Sequence, residues 1–320
     1  MAYGFSGYIG LGKEATWGSA QNASTFVEAL NENIHVELDR FPYKNIIGTM
    51  AEADDIGGVQ RVSGQMSFAA HPGNIGFFLF STFGQATMTV VLSGFLFNHV
   101  YKSPTNSNSE FSTTAPSVPY TLEIFRDVTT ATQYAGCLVS ALTLNFAPNQ
   151  DVRATASFIG RSTRYAAAQT PTFPGSSAKP FTFDTASVQL GGSATTKIEA
   201  LTISIENQYE GIPALDMSTV ISKIRRTGPQ LVNVTGTLDF TTHAEYDDFL
   251  QQSETNLKVS VTKASSFAMT IEIPRLVYTA FPLGIPGKER IMVDFTAKGY
   301  YLASSATAIH VSLTTTRSFH

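Results

Sequence analysis

The chain carries one pattern twice, and that repetition limits what it can fold into more than any motif does. RVSGQMSFAAHPGNIGFF (61–78) aligns with NVTGTLDFTTHAEYDDFL (233–250) at a constant offset of 172 (234 − 62). Val62 then meets Val234, Gly64 meets Gly236, Met66 meets Leu238, Phe68 meets Phe240 and His71 meets His243. Alternating apolar residues at 62, 66 and 68, and again at 234, 238 and 240, predict a strand with one buried face. A helix start follows each strand. Thr242-x-x-Glu245 reads as a capping box, and Pro72 sits where a first helical residue tolerates proline. Tyr246, Phe249 and Leu250 give one helix face at spacing i, i+3, i+4.

The repetition extends on both sides with looser spacing. YTLEIFR (120–126) parallels LKVSVTK (257–263), and IHVELDRFPY (34–43) parallels LTISIENQY (201–209). VRATASFIG (152–160) parallels IMVDFTAKG (291–299) at an offset of 139 (299 − 160), both ending in glycine. Each half reads as strand, long loop, strand, helix, then several strands. The expected fold is mainly β, with one helix per repeat and the repeats in tandem. The expected domains are 1–165 and 181–301, joined by the Pro/Ser/Gly-rich linker 166–180 and followed by an extension, 302–320. Residues 87–118 form an insertion in the first half, with FLFNHVY (95–101) as an extra strand. The extension carries one short alternating strand, Ile309, Val311 and Leu313.

Charge is scarce. Asp, Glu, Lys and Arg supply 14% of residues, against about 25% in ordinary globular chains. Residues 62–101 contain none of the four, yet Gly73, Gly76, Gly84, Gln85, Gly94 and Asn98 break every long apolar run. A membrane span is therefore not expected. An uncharged stretch on this scale predicts burial, in a core or against other subunits, and favours oligomerisation. The net charge of −4 argues against gripping a phosphate backbone. MAYGFSGYIG lacks the pattern of a secretory leader, which predicts cytoplasmic synthesis.

Gly7 and Gly12-Lys13 have the frame of a phosphate-binding loop, but Glu14 stands where Ser or Thr would hold magnesium. His243, Glu245, Asp247 and Asp248 read as a helix start with acids that complement its dipole rather than a metal site. His71 reads as a structural residue at the helix start, and Cys137 as a small buried hydrophobe. No nucleophile–histidine signature is present, so no catalytic, cofactor or metal residue is assigned. The loops before the repeated strands say more. MAEADDIGG (50–58) is acidic, with Glu52, Asp54 and Asp55. Its counterpart SKIRRTGPQ (222–230) is basic, with Lys223, Arg225 and Arg226. One reading is two solvated tips of opposite sign. The other is a complementary contact between neighbouring or stacked subunits.

YIGLGKEATWGSA, at the N-terminus, resembles the opening of major tail tube proteins of long-tailed bacteriophages. VSGQMSF before the helix and CLVSALTLNFAPNQDVRATASFIGR (137–161) fit the same family in order along the chain. The resemblance implies a tail-tube β-sandwich or half-barrel flanked by a helix, assembled into stacked rings that pass DNA without specific binding. For a duplicated chain it implies trimeric, pseudo-hexameric rings, in a virion tail assembled in the host cytoplasm. The implied partners are further copies of the chain and tail terminator, distal tail and tape-measure proteins. In this setting Gly10 and Gly12 suit an extended arm and Trp17 an anchor on a neighbouring subunit. An acidic or neutral bore is expected. The alternatives are a baseplate or neck ring component of the same fold, or a two-domain β-rich carbohydrate-binding protein using Trp17, Tyr43 and Tyr209.

Overall fold

The computed structural model describes residues 3–44, 46, 48, 50–51, 54–92, 96–103, 117–173, 179–264, 266–285 and 287–319. Among the described residues the fold is mainly β with one α-helix in each half. The first half contains β1 (Tyr8–Lys13), β2 (Thr25–Val27), β3 (Ala29–Glu32), β4 (His35–Tyr43), β5 (Asp54–Ala69) and α1 (Ile75–Phe83). It continues with β6 (Ala86–Leu92), β7 (Leu96–Lys102), β8 (Tyr120–Phe125), β9 (Thr130–Phe146), β10 (Arg153–Gly160) and β11 (Ser162–Ala167). The second half contains β12 (Ala186–Leu190), β13 (Ser193–Thr195), β14 (Ile198–Glu206), β15 (Tyr209–Ile212), β16 (Lys223–Arg226), β17 (Leu231–Asp239) and α2 (Ala244–Gln251). It ends with β18 (Thr255–Ala264), β19 (Phe267–Ala280), β20 (Met292–Gly299) and β21 (His310–Thr315). No described helix is long and apolar enough to cross a membrane.

The antiparallel ladders run in the same order in both halves. The first is β4–β5–β10–β9–β8–β1–β2. The second is β14–β17–β20–β19–β18–β12–β13. Phe158 lies opposite Gly64 in one, and Phe295 opposite Gly236 in the other. The backbone offset between β10 and β20 is thus 137 (295 − 158), two less than the 139 given by matching the terminal glycines. A Cβ at Gly236 would lie 2.9 Å from the Phe295 ring, so register here follows an aromatic ring seated over a glycine.

Two ladders join the halves. β14 pairs with the end of β9, from Phe146 opposite Leu201 to Ala141 opposite Glu206. β21 lies between β19 and β7, so the strand inserted in the first half closes on the last strand of the second. One continuous apolar core spans both halves, from Ile9 and Val62 to Val311 and Phe319. The alternation expected from sequence is present: Val62, Met66, Phe68, Val234 and Leu238 are buried. Ile309, Val311 and Leu313 are buried too.

The helix starts differ from the sequence reading. α1 begins at Ile75 with Asn74 as N-cap, so Pro72 lies in the preceding turn rather than in the helix. There the buried His71 ring accepts a hydrogen bond from the Gly73 N–H through Nδ1 (2.9 Å). α2 starts after His243, which places Glu245 one position too early for a capping box. Thr242 donates to the Glu245 carboxylate (3.3 Å), and Lys197 Nζ binds its other oxygen at 2.6 Å. A partly buried ion pair stands where the sequence suggested a cap.

Candidate assembly surfaces

The N-terminal segment is a strand within its own chain, not a free arm. β1 is flanked by β2 and β8, and a Cβ at Gly10 or Gly12 would collide with Ala23 or the Asn22 carbonyl. Gly10 and Gly12 therefore do permit close approach, but to residues 22 and 23 of the same molecule. Trp17 is buried with Leu138, Ile221 and Ile224, so it anchors the first half to the second rather than to a neighbour. Its Nε1 donates to the Gly136 carbonyl (2.9 Å), and the Arg161 guanidinium lies 5.2 Å from the ring centre.

Two buried carboxylates stabilise this segment, and the sequence reading gave neither a role of this kind. Glu14, 3% exposed, accepts from Thr121 Oγ1 (2.6 Å), the Gly136 N–H (2.8 Å) and the Gly18 N–H (2.7 Å). Burial pushes its carboxyl above the usual range, while these donors pull the other way. Glu123 accepts from the Tyr8 hydroxyl (2.8 Å) and Gln133 Nε2 (2.7 Å). Burial, together with Glu123, raises the Tyr8 hydroxyl to about 12. The only available clue was Glu14 in the lysine-flanked glycine phrase; Glu123 looks like any outward residue of an alternating strand.

The oppositely charged loops are only partly brought together. Glu52 lies outside the described residues. Asp54 begins β5, and Asp55 forms an exposed ion pair with Arg40 across the β4–β5 hairpin (2.8 Å). Arg61 pairs similarly with Glu37 (2.8 Å) and Asp39 (3.2 Å). Lys223, Arg225 and Arg226 lie on β16, paired only with β15 among the described strands. Arg226 stacks over the Tyr209 ring at 5.4 Å. The two regions also touch: the Gln60 N–H donates to the Thr219 carbonyl (2.6 Å), and Val59 packs against the cluster of Trp17, Leu138, Ile221 and Ile224.

Other features face outward. Among the described strands β6 pairs only with β7, and its Val90 and Val91 are more than half exposed. Leu38, Phe41 and Ile56 are exposed on the β4–β5 hairpin. Cys137 is buried, and burial raises its thiol well above the ordinary range, so it is not a reactive nucleophile. Among the described residues no group of three His, Cys, Asp or Glu is placed to hold a metal ion.

Edges left unpaired among the described strands, exposed apolar residues and oppositely charged strands on one continuous β scaffold suit a structural protein that associates. The family model for phage tail tube protein matches residues 4–299, and the chain belongs to that family. It is a structural component of the bacteriophage tail tube. Comparison with curated proteins gives no match.

Proposed function

We propose that three copies of the chain close into a pseudo-hexameric ring, and that the rings stack into the hollow tube that conducts DNA during ejection. The carrying observation is a difference between equivalent strands. β14 is paired on both sides, by β17 and by β9, whereas among the described strands β4 is paired only by β5. In a closed ring each β4 takes from the next chain what β14 takes from its own, and the β4 edge is no longer open. We assign tandem tail-tube domains to 1–165 and 181–301, with 166–180 as linker, 302–320 as extension and 87–118 as insertion.

Ring stacking is assigned to the loops of opposite sign, with Glu52, Asp54 and Asp55 of one ring facing Lys223, Arg225 and Arg226 of the next. Tail terminator, distal tail and tape-measure proteins are the partners at the tube's ends and interior, assembled in the host cytoplasm. Negative-stain microscopy of concentrated protein tests the reading. Open-ended tubes built from three-chain rings are expected. Discrete rings that do not stack favour a baseplate or neck component, and single subunits at every concentration overturn the proposal.

A further inference from the structure

Two ladders join the halves, and they differ in the groups that titrate. β9–β14 runs from Phe146 opposite Leu201 to Ala141 opposite Glu206 and holds no histidine. β7–β21 holds two. His99 is fully buried on the core face, where its Nε2 meets the Arg317 carbonyl (3.0 Å). His310 lies on the other face, opposite Lys102 of β7 on one side and Glu272 of β19 on the other. Lys258 of β18 stands opposite Glu272 in turn. Directly opposed residues share a face, with Cβ atoms about 5 Å apart, so these four residues form one row across four strands.

The row sets His310 between unlike neighbours. Its Nε2 lies 3.4 Å from Glu272 Oε2, and Lys258 Nζ lies 4.0 Å from the same oxygen. Gln189 follows Lys258 in the row on β12, and the adjoining row, Val100, Ser312, Thr270 and Ser260, carries no charge. His310 Nδ1 is buried and has no hydrogen-bond partner among the described residues. A proton placed there becomes a buried donor without an acceptor, and its charge joins a row that already holds two lysines and one carboxylate. Burial pushes this imidazole below the ordinary 6.5; Glu272 pulls it up, while Lys102 and Lys258 push it down.

We propose that this row makes the β7–β21 ladder an acid-sensitive closure between the halves. Protonated His310 is drawn to Glu272 on β19 and repelled by Lys102 on β7, so β21 stays with the second half while the inserted β6–β7 pair parts from it. Parting gives Nδ1 access to water and leaves the facing edges of β7 and β21 bare. It begins at the Lys102 end, because the other end is held by uncharged contacts such as the Ser312 Oγ bond to Asn98 Oδ1 (2.8 Å). The parted form takes up the proton more readily than the closed one, so closure is strongest above 6.5 and weakens as pH falls below it.

Hydrogen exchange on the full chain, corrected for the intrinsic rate at each pH, tests it. From about pH 7.5 to about pH 5.5 the protection of amides in β7 and β21 should fall about threefold to tenfold, while that of the β9–β14 ladder holds. His310→Gln removes the proton site and should leave protection flat across that range. Lys102→Glu turns the repulsion into attraction, so acid should then raise protection. Lys102 is exposed, and both variants should match the wild-type thermal transition at the upper pH. A wild type whose β7–β21 protection changes no more than that of β9–β14 overturns the proposal. So does a His310→Gln chain that keeps the fall, which would assign it to His99, or a Lys102→Glu chain that falls as the wild type does.

Discussion

Glu14 shows how a buried charge can organise a segment at a cost in stability. Glu14→Gln keeps the size but leaves one of the three donors facing an amide N–H, so it should cost about 1–3 kcal/mol at neutral pH. The pH dependence has a definite sign. Burial, the largest cause, raises the folded-state value above the ordinary 4.5, so the folded chain holds the proton more tightly than the unfolded one. Stability from this group therefore falls as pH rises through that window. The difference in urea midpoint between wild type and Glu14→Gln should widen as pH is lowered from neutral towards 4.5. Trp17→Ala removes a buried ring that bridges the halves and should cost about 3–5 kcal/mol in the same assay. Gly64 has φ +133°, and a Cβ there would lie 2.6 Å from the Ile34 Cα. Gly64→Ala should cost about 1–3 kcal/mol from backbone strain alone, before any clash is relieved. Gly64 aligned with Gly236 was legible in the sequence. The reason differs between them: Gly64 has a left-handed backbone, whereas at Gly236 the Phe295 ring and the Ala200 carbonyl lie within 3 Å.

Among the elements, β1 carries the clearest revision. A free arm would predict that deleting residues 1–18 leaves folded subunits that cannot polymerise. Because β1 bridges β2 and β8 and Trp17 sits beneath β16, the deletion should instead abolish the cooperative thermal transition. The repeated strand–helix units were legible because alternating burial leaves a trace in sequence. The start of α2 was not, because Lys197, distant in the chain, claims the carboxylate that would have capped the helix. β6 was also missed: Thr87, Met88, Thr89, Val90 and Val91 are all exposed, so no hydrophobic period marks the strand. The β15–β16 hairpin was read only as a charged loop, because a two-stranded ribbon of four residues a side carries too few positions for periodicity to register.

At the scale of the whole molecule, the scarcity of charge and the two ladder sets lead to one expectation, a subunit completed by its own copies. If the loops of opposite sign meet between rings, Asp54→Lys with Asp55→Lys should leave rings intact but shorten or abolish tubes in electron micrographs. Raised salt should shorten wild-type tubes in the same direction, because exposed charges are screened. The assembled bore should be acidic or neutral, and a continuous basic lining would contradict a passive conduit. The pairing of β21 with β7 also has a consequence for synthesis. His310 lies opposite Lys102, so a strand near the beginning waits for one made after all the other described strands. On the ribosome β7 must remain without this neighbour until residue 315 has emerged. An interrupted polypeptide then lacks the last seam between the halves.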